Sequence, residues 1–123
     1  MKITRSVDGI ELIVSHEKIG TDLLVVIRGG DEHHIGGAAL AYPTKSHYRD
    51  AITVSLNTIT APGHKDYVVA NASAESICKA LELPVLVSVG IHVEHATKEQ
   101  IGLIVQEVDA MVNELIEFYQ KPE

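Results

Sequence analysis

Apolar and polar residues alternate along much of this chain, and the apolar spacing becomes helical in only two segments. Alternation with a period of two is typical of β-strands that bury one face. The longest alternating run, Leu83–Val93, predicts a strand with β-branched residues on one side. Ala51–Thr60 alternates in the same way and predicts a half-exposed antiparallel strand. Such a chain folds mainly as a sheet, on which its helices have to pack.

The first third of the chain predicts further strands joined by tight turns. Asp8-Gly9 lies between the predicted strands Met1–Val7 and Ile10–His16, which is a strong signal for a two-residue hairpin. A continuous apolar run then predicts a central strand at Leu23–Arg28. That strand stops at a Gly-Gly-Asp turn, after which Ile35–Tyr42 returns as an antiparallel strand and ends before a proline.

Two segments have helical spacing. Thr97 and Gln100 form a capping box, which predicts the start of a helix whose apolar stripe extends to Tyr119. The order β-β-β-β-β-α-β-α predicts an α+β fold, with a mainly antiparallel sheet of about six strands and two helices packed on it. Residues 1–123 are expected to form a single domain. The other helix, from about Lys65 to Leu81, is predicted to bury Val69, Ala72, Ser76, Ile77, Ala80 and Leu81.

The composition disfavours several classes of partner. The formal net charge is −7, whereas a nucleic-acid-binding surface has to be basic. No segment approaches the roughly 18 apolar residues needed to span a bilayer, and the first residues do not resemble a secretory signal. A lone Cys78 cannot form an internal disulfide, which agrees with a reducing compartment. We therefore expect a cytoplasmic protein that binds neither nucleic acid nor membrane.

Five of the seven histidines lie in three short segments, 29–37, 62–66 and 90–95, that also contain glycine and acidic residues. Imidazole binds transition metals and changes its charge near neutral pH. On an extended strand, His92 and Glu94 project from the same face. They can therefore supply two metal ligands, or a base with its orienting carboxylate. The alternative is a histidine that is simply hydrogen-bonded at a strand end.

The other two segments also suggest contact with a ligand. His64 and Lys65 precede a predicted helix, whose first N–H groups favour anions, and would form a small cradle for a phosphate or carboxylate. The alternative is a plain helix start with Asp66 in its first turn. The glycine-rich segment has neither dinucleotide-binding nor Walker spacing. Yet Gly36 and Gly37 inside a strand mark the close approach of a ligand or another backbone.

As a set, the three segments resemble the prenylated-flavin chaperones, the small accessory D subunits of gallate and hydroxyarylic acid decarboxylases. The matching motifs are Gly-Gly-Asp-x-x-His-Ile-Gly at 29–36, Pro-Gly-His-Lys-Asp at 62–66 and Gly-Ile-His-Val-Glu at 90–94. The resemblance covers nearly the whole chain and implies a fold similar to proteasome assembly chaperones. The sequence departs from the family at His33, where proline is usual, and at Glu94-His95, where Asp-Asn is common.

The resemblance implies a non-catalytic accessory protein that binds prenylated FMN, or FMN, as cargo. It would help to load this cofactor into a large prenylated-flavin-dependent aromatic acid decarboxylase. Imidazole with carboxylate suits Zn²⁺ or Mn²⁺, and the expected metal ligands are His34, His64, His92 and Glu94. The expected cofactor-binding residues are Gly29, Gly30, His34, Gly36, Gly37, His64, Lys65 and Asp66, with Gly36 and Gly37 leaving room for a flat ring.

Two other functions are compatible with the residues. A small metal-dependent hydrolase or lyase would use the histidine-rich site to activate water. A purely structural assembly chaperone would have no use for the histidines. A homodimer is expected with each of these functions, because a small sheet-and-helix domain tends to cover a sheet edge or a helix flank by pairing with a second copy. Cys78 is expected to be buried, and His16 and His47 to lie on the surface.

Overall fold

A computed structural model describes residues 1–45, 51–63 and 65–121. The strands and helices follow one another in the order that the sequence predicts, and the fold is α+β. The elements are β1 (Lys2–Val7), β2 (Ile10–Ile19), β3 (Asp22–Gly30), β4 (Glu32–Lys45), β5 (Ile52–Thr60), α1 (Tyr67–Leu81), β6 (Val85–His92) and α2 (Lys98–Gln120).

The strands form one sheet in the order β1-β2-β3-β6-β4-β5, in which β3 and β6 run parallel and the other neighbours antiparallel. The predicted hairpin at Asp8-Gly9 is confirmed by the β1–β2 pairing. The predicted pairing of β3 with β4 is wrong, because β6 lies between them. The chain leaves β3 at Gly30, and the Asp31 N–H donates to the carbonyl oxygen of His92 at 2.7 Å. The Gly-Gly-Asp turn therefore crosses the end of β6 instead of closing a hairpin.

Strand β4 is longer than predicted and contains Pro43. Pairing of β4 with β6 ends at Ala41, which lies opposite Val85, so Pro43 pairs only with the edge strand β5. A proline is tolerated there because its missing N–H does not interrupt the hydrogen bonds between the central strands of the sheet. Near its other end, β4 changes register against β6 between His33 and Gly37. This β-bulge sets the direction of the His34 side chain relative to β6.

Both helices pack on the same face of the sheet, α1 over β4, β5 and β6, and α2 over β1 and β2. The predicted buried face of α1 is correct at Ile77, and Val69 and Leu81 are half-buried against the core, but Ala72, Ser76 and Ala80 are exposed. Because the start of α1 lies very close to β4 at Gly37, most of the side chains beneath the helix are small. The buried residues of α1 are Ala70, Ser73, Ala74, Ile77 and Cys78.

The capping box of α2 is confirmed, since the Gln100 N–H donates to Thr97 Oγ1 at 3.1 Å and the Thr97 N–H donates to Gln100 Oε1 at 3.0 Å. Most of the predicted apolar stripe is buried against the sheet. Ile101 and Val105 are exceptions, with 51% and 41% exposure. Within the described residues, neither helix is long and apolar enough to cross a membrane.

The prediction that His16 lies on the surface is wrong, and His47 falls outside the described residues. His16 is 5% exposed, because it follows Leu12 and Val14 on the helix-facing side of β2. Its Nδ1 atom lies 2.7 Å from the Tyr119 hydroxyl. Burial, and then the positive charge of the N-terminus, lowers the pKa of His16. Cys78 is buried as predicted, and burial raises the pKa of its thiol.

Candidate functional site

The predicted site residues that the structure describes gather at the end of the sheet where β6 finishes between β3 and β4. In the strand register, His92 lies opposite both Gly30 of β3 and Glu32 of β4. Gly30 has a φ of 82°, and a Cβ at this residue would overlap the His92 carbonyl group. The turn after β3 therefore passes directly over the last residue of β6 and brings two acidic residues, Asp31 and Glu32, beside it.

His34 and Asp66 form the more buried half of the site. The Nε2 atom of His34 lies 3.8 Å from Asp66 Oδ2, and the two side chains are 23% and 12% exposed. Asp66 precedes α1 but makes no side-chain cap with that helix. Its Oδ1 atom instead accepts a hydrogen bond from the Ile91 N–H at 3.3 Å. Asp66 thus ties the start of α1 to β6 and places a carboxylate beside the buried imidazole.

His92 and Glu94 form the more exposed half. His92 Nε2 lies 2.9 Å from Glu94 Oε1, and the Glu94 N–H donates to Asp31 Oδ2 at 2.8 Å. The hydrogen bond to Glu94 is the main cause of a raised pKa at His92, and the charges of Glu94, Glu32 and Asp31 act in the same direction. The negative potential at this end of the sheet therefore favours a cation.

The two halves meet, since the ring centres of His34 and His92 are 6.3 Å apart. With metal–nitrogen bonds of about 2.0–2.1 Å, two imidazoles that share one ion at a tetrahedral angle have ring centres about 5 Å apart. The rings would have to approach by roughly 1 Å to share an ion. Among residues 1–45, 51–63 and 65–121, no group of three or more His, Cys, Asp or Glu is arranged to hold a metal. The predicted ligand His64 lies outside these ranges.

An apolar pocket of about 300 Å³ opens beside this cluster, between the start of α1, the end of β6 and the start of α2. Lys65, Asp66 and His92 contribute polar atoms to its lining, next to Gly63. A pocket of this size is at the lower end of the range for small-molecule sites, and apolar walls with a few polar groups are typical of such sites. The apolar lining consists of Val69, Ile91, Val93, Ala96, Ile101, Ile104 and Val105.

The predicted glycines are not part of this pocket lining. A Cβ at Gly36 would overlap the Asp66 carboxylate, and one at Gly37 would lie 2.7 Å from the Tyr67 nitrogen. The close neighbour of this strand is thus the start of α1, which fills the space where a flat ring was expected. Gly29 lies opposite Leu12 of β2, and a Cβ there would overlap the β2 backbone.

The apolar wall of the pocket was missed in the sequence because its residues resemble ordinary core positions. Ile101 and Val105 were assigned to the stripe of α2, although they make that stripe wider than the sheet can cover. The width of this apolar stripe could have indicated a ligand-binding surface, since a helix that only covers a sheet needs a narrower apolar face. Val69 was likewise assigned to the buried face of α1; it packs against the core and also lines the pocket.

Comparisons with known proteins agree with this architecture. A family model described as the prenylated flavin chaperone LpdD-like domain matches residues 6–120. Protein LpdD of Lactiplantibacillus plantarum (strain ATCC BAA-793 / NCIMB 8826 / WCFS1) is 31% identical over 102 residues, which cover 83% of this chain and 72% of that protein. A crystal structure of a chaperone complex for yeast 20S proteasome assembly matches with a TM-score of 0.55 and 14% identity. It covers 94% of both chains, and at this identity it shows a shared fold.

Proposed function

This chain belongs to the family of prenylated flavin chaperones with an LpdD-like domain, and we propose that it binds prenylated FMN, or FMN, as transient cargo. It would hand the cofactor to the apo form of a large prenylated-flavin-dependent aromatic acid decarboxylase in the cytoplasm. The observation that carries the proposal is the apolar pocket between α1, β6 and α2, which has ionisable groups at its rim.

The pocket suits part of a flavin better than the whole nucleotide. At about 300 Å³ it is at the lower limit for ligand sites. The isoalloxazine ring and its prenyl addition are the apolar parts, and Ile91, Ile101 and Val105 would contact them. The phosphate would remain near the rim, where Lys65 and the first N–H groups of α1 are the groups that attract an anion.

A divalent cation is part of the proposal because the rim is acidic. Asp31, Glu32 and Glu94 surround His92 and would repel a bare phosphate. A Zn²⁺ or Mn²⁺ ion held by His34, His92 and Glu94, with His64 as the fourth predicted ligand, would neutralise this charge. The donor set fits such an ion chemically, and binding would require the rings of His34 and His92 to close by at least about 1 Å and to turn a nitrogen toward the same point.

Titration of the purified protein with reduced FMN and reduced prenylated FMN tests the cargo, with and without Mn²⁺ or Zn²⁺. We expect binding that strengthens with metal and weakens with a chelator. Ile101→Glu should weaken binding, whereas Leu103→Glu, on the same helix but outside the pocket lining, should not. Lys65→Gln should weaken binding to phosphate-bearing flavins, with Lys98→Gln as its control. No binding of either flavin under any condition would refute the proposal.

The partner is tested separately, by adding the flavin-loaded protein to an apo-decarboxylase and measuring decarboxylation of a phenolic acid. We expect faster activation than with free cofactor, and a slower gain with Ile101→Glu. The proposal also includes a homodimer. The decarboxylase assay does not depend on that homodimer, which sedimentation equilibrium tests as a mass of twice the 13.3 kDa of one chain.

A further inference from the structure

A second pocket lies at the other end of α2, about 20 Å along the helix from the apolar pocket described above. It opens on the helix-covered side of the sheet, between the edge strand β1 and the last turns of α2, and has a volume of about 270 Å³. Ile3 and Phe118 form its apolar walls. Because a cavity of about 150 Å³ is enough to hold benzene, this pocket has room for one ring with a polar substituent, but not for a whole flavin.

His16 is the buried polar side chain of this pocket. The residue is 5% exposed, and its Nδ1 atom lies 2.7 Å from the Tyr119 hydroxyl. Residues 1–45, 51–63 and 65–121 provide no hydrogen-bond partner for its Nε2 atom, which is nevertheless not fully enclosed. Since the His16 side chain projects from β2 toward α2, this nitrogen faces the pocket. The pocket therefore contains a buried imidazole nitrogen whose hydrogen bond is unused.

The wall at Phe118 suits an aromatic ring. The ring centre of Phe118 lies 5.4 Å from that of His16 and 4.9 Å from that of Tyr119, with interplanar angles of 61° and 87°. Aromatic rings attract one another in this edge-to-face geometry. Phe118 is nevertheless 43% exposed. A flat ring in the pocket would cover the exposed part of Phe118 and extend the aromatic cluster, which an aliphatic chain cannot do.

The charges that line the pocket favour an anion. Lys2 and Lys121 both contribute to the lining, and neither forms an ion pair with a carboxylate that the structure describes. Of the two glutamates in the lining, Glu114 is already paired with Arg5. Two lysines therefore face Glu117, and the local charge is positive although the formal net charge of the chain is −7.

We propose that this pocket binds a small aromatic carboxylate. Its ring would pack against Phe118 and Ile3, and a carboxylate oxygen would accept a hydrogen bond from His16 Nε2–H. The Tyr119 hydroxyl then donates to His16 Nδ1, which leaves the ring proton on Nε2. Lys2 and Lys121 would attract the carboxylate from the rim.

The ligand assignment rests on this pocket and not on flavin binding. Aromatic acids are also the substrate class of the decarboxylase in the proposed function. The chaperone would therefore hold a molecule of that class at one end of α2 and the flavin at the other.

NMR titration of the untagged protein with benzoate tests the inference. We expect a dissociation constant of about 0.1–1 mM, with shifts of the His16 ring resonances and none of the His92 ring. Cyclohexanecarboxylate has the same charge but no aromatic ring, and should bind about three- to tenfold more weakly. Benzamide keeps the ring but has no charge, and should bind about tenfold more weakly.

Two variants alter the pocket in different ways. Ile3→Trp places a large side chain inside it and should abolish benzoate binding. Lys121→Glu changes an exposed residue after α2, so folding should be unaffected, and binding should weaken about three- to tenfold. The matched control is Lys98→Glu, at the opposite end of the same helix, which should bind benzoate as the wild type does.

Three results would each overturn the inference. They are unshifted His16 resonances at about 10 mM benzoate, equal affinity for benzoate and cyclohexanecarboxylate, and benzoate affinity that neither Ile3→Trp nor Lys121→Glu lowers. Ile101→Glu separates this site from the flavin pocket, since it should weaken flavin binding and leave benzoate binding unchanged. Failure of one site therefore does not imply failure of the other.

Discussion

Gly90 is the position at which one methyl group should most disturb the candidate site. It is buried in β6, opposite Arg28 of β3 and beside the bulge of β4. A Cβ at this residue would overlap the carbonyl group of His34 and lie 3.2 Å from the His34 Cα. Because these are backbone atoms, no side-chain rotation can relieve the overlap. Gly90→Ala should therefore push the start of β4, with His34, away from β6.

The magnitude follows from two costs. Overpacking of a buried position costs about 1–3 kcal/mol. Movement of the bulge also disturbs the pairs Glu32–His92 and His33–Ile91, and each lost backbone hydrogen bond costs roughly 0.5–1.5 kcal/mol. If two such bonds are lost, the expected loss in the free energy of unfolding is about 2–6 kcal/mol, out of a total of roughly 5–15 kcal/mol for an ordinary domain.

Gly102 provides the matched control, because the same substitution there should have the opposite sign. It lies inside α2, and a Cβ would meet nothing within 4 Å. Gly102→Ala should therefore stabilise the protein by about 0.5–1 kcal/mol. Urea unfolding followed by circular dichroism measures both changes, and the His34 imidazole resonances should shift only in Gly90→Ala. A Gly90→Ala variant within about 0.5 kcal/mol of wild type would refute the close approach of His34 to β6.

Three further predictions follow from single contacts. Because the pKa of His16 is lowered in the folded protein, the unfolded state takes up a proton more readily as pH falls below about 6.5. The free energy of unfolding should therefore decline below that pH, and it should decline less steeply in His16→Gln. Urea unfolding at several pH values measures both. The raised pKa of His92 adds stability that is present at low pH and is lost as pH rises through the pKa of the folded state. Because the hydrogen bond to Glu94 is the main cause, Glu94→Gln should lower the NMR titration midpoint of the His92 ring and leave that of His16 unchanged. Thr97→Ala removes the side-chain acceptor of the capping box and should cost about 1 kcal/mol of unfolding free energy, whereas Thr53→Ala on the exposed edge strand should change it by less than about 0.5 kcal/mol.

Local signals in the sequence were sufficient for most of the elements. The turn at Asp8-Gly9 and the capping box at Thr97 depend on neighbouring residues, and both were confirmed. The position of β6 between β3 and β4 has no local signal, because it depends on strands far apart in the chain. The Gly-Gly-Asp turn is as compatible with a hairpin as with a crossing over β6. A pairing prediction made from that turn alone was therefore wrong.

The histidines show the same division between local and distant information. His34 and His92 were both expected metal ligands at strand ends, but the sequence left open whether their segments converge. The structure places their ring centres 6.3 Å apart. The buried His16 was missed because Ser15 and Glu17, its neighbours, are polar. Its place in the alternation after Leu12 and Val14 was the better signal, since alternate residues of a strand share a face. The apolar pocket required the packing of two helices, which residue spacing does not provide.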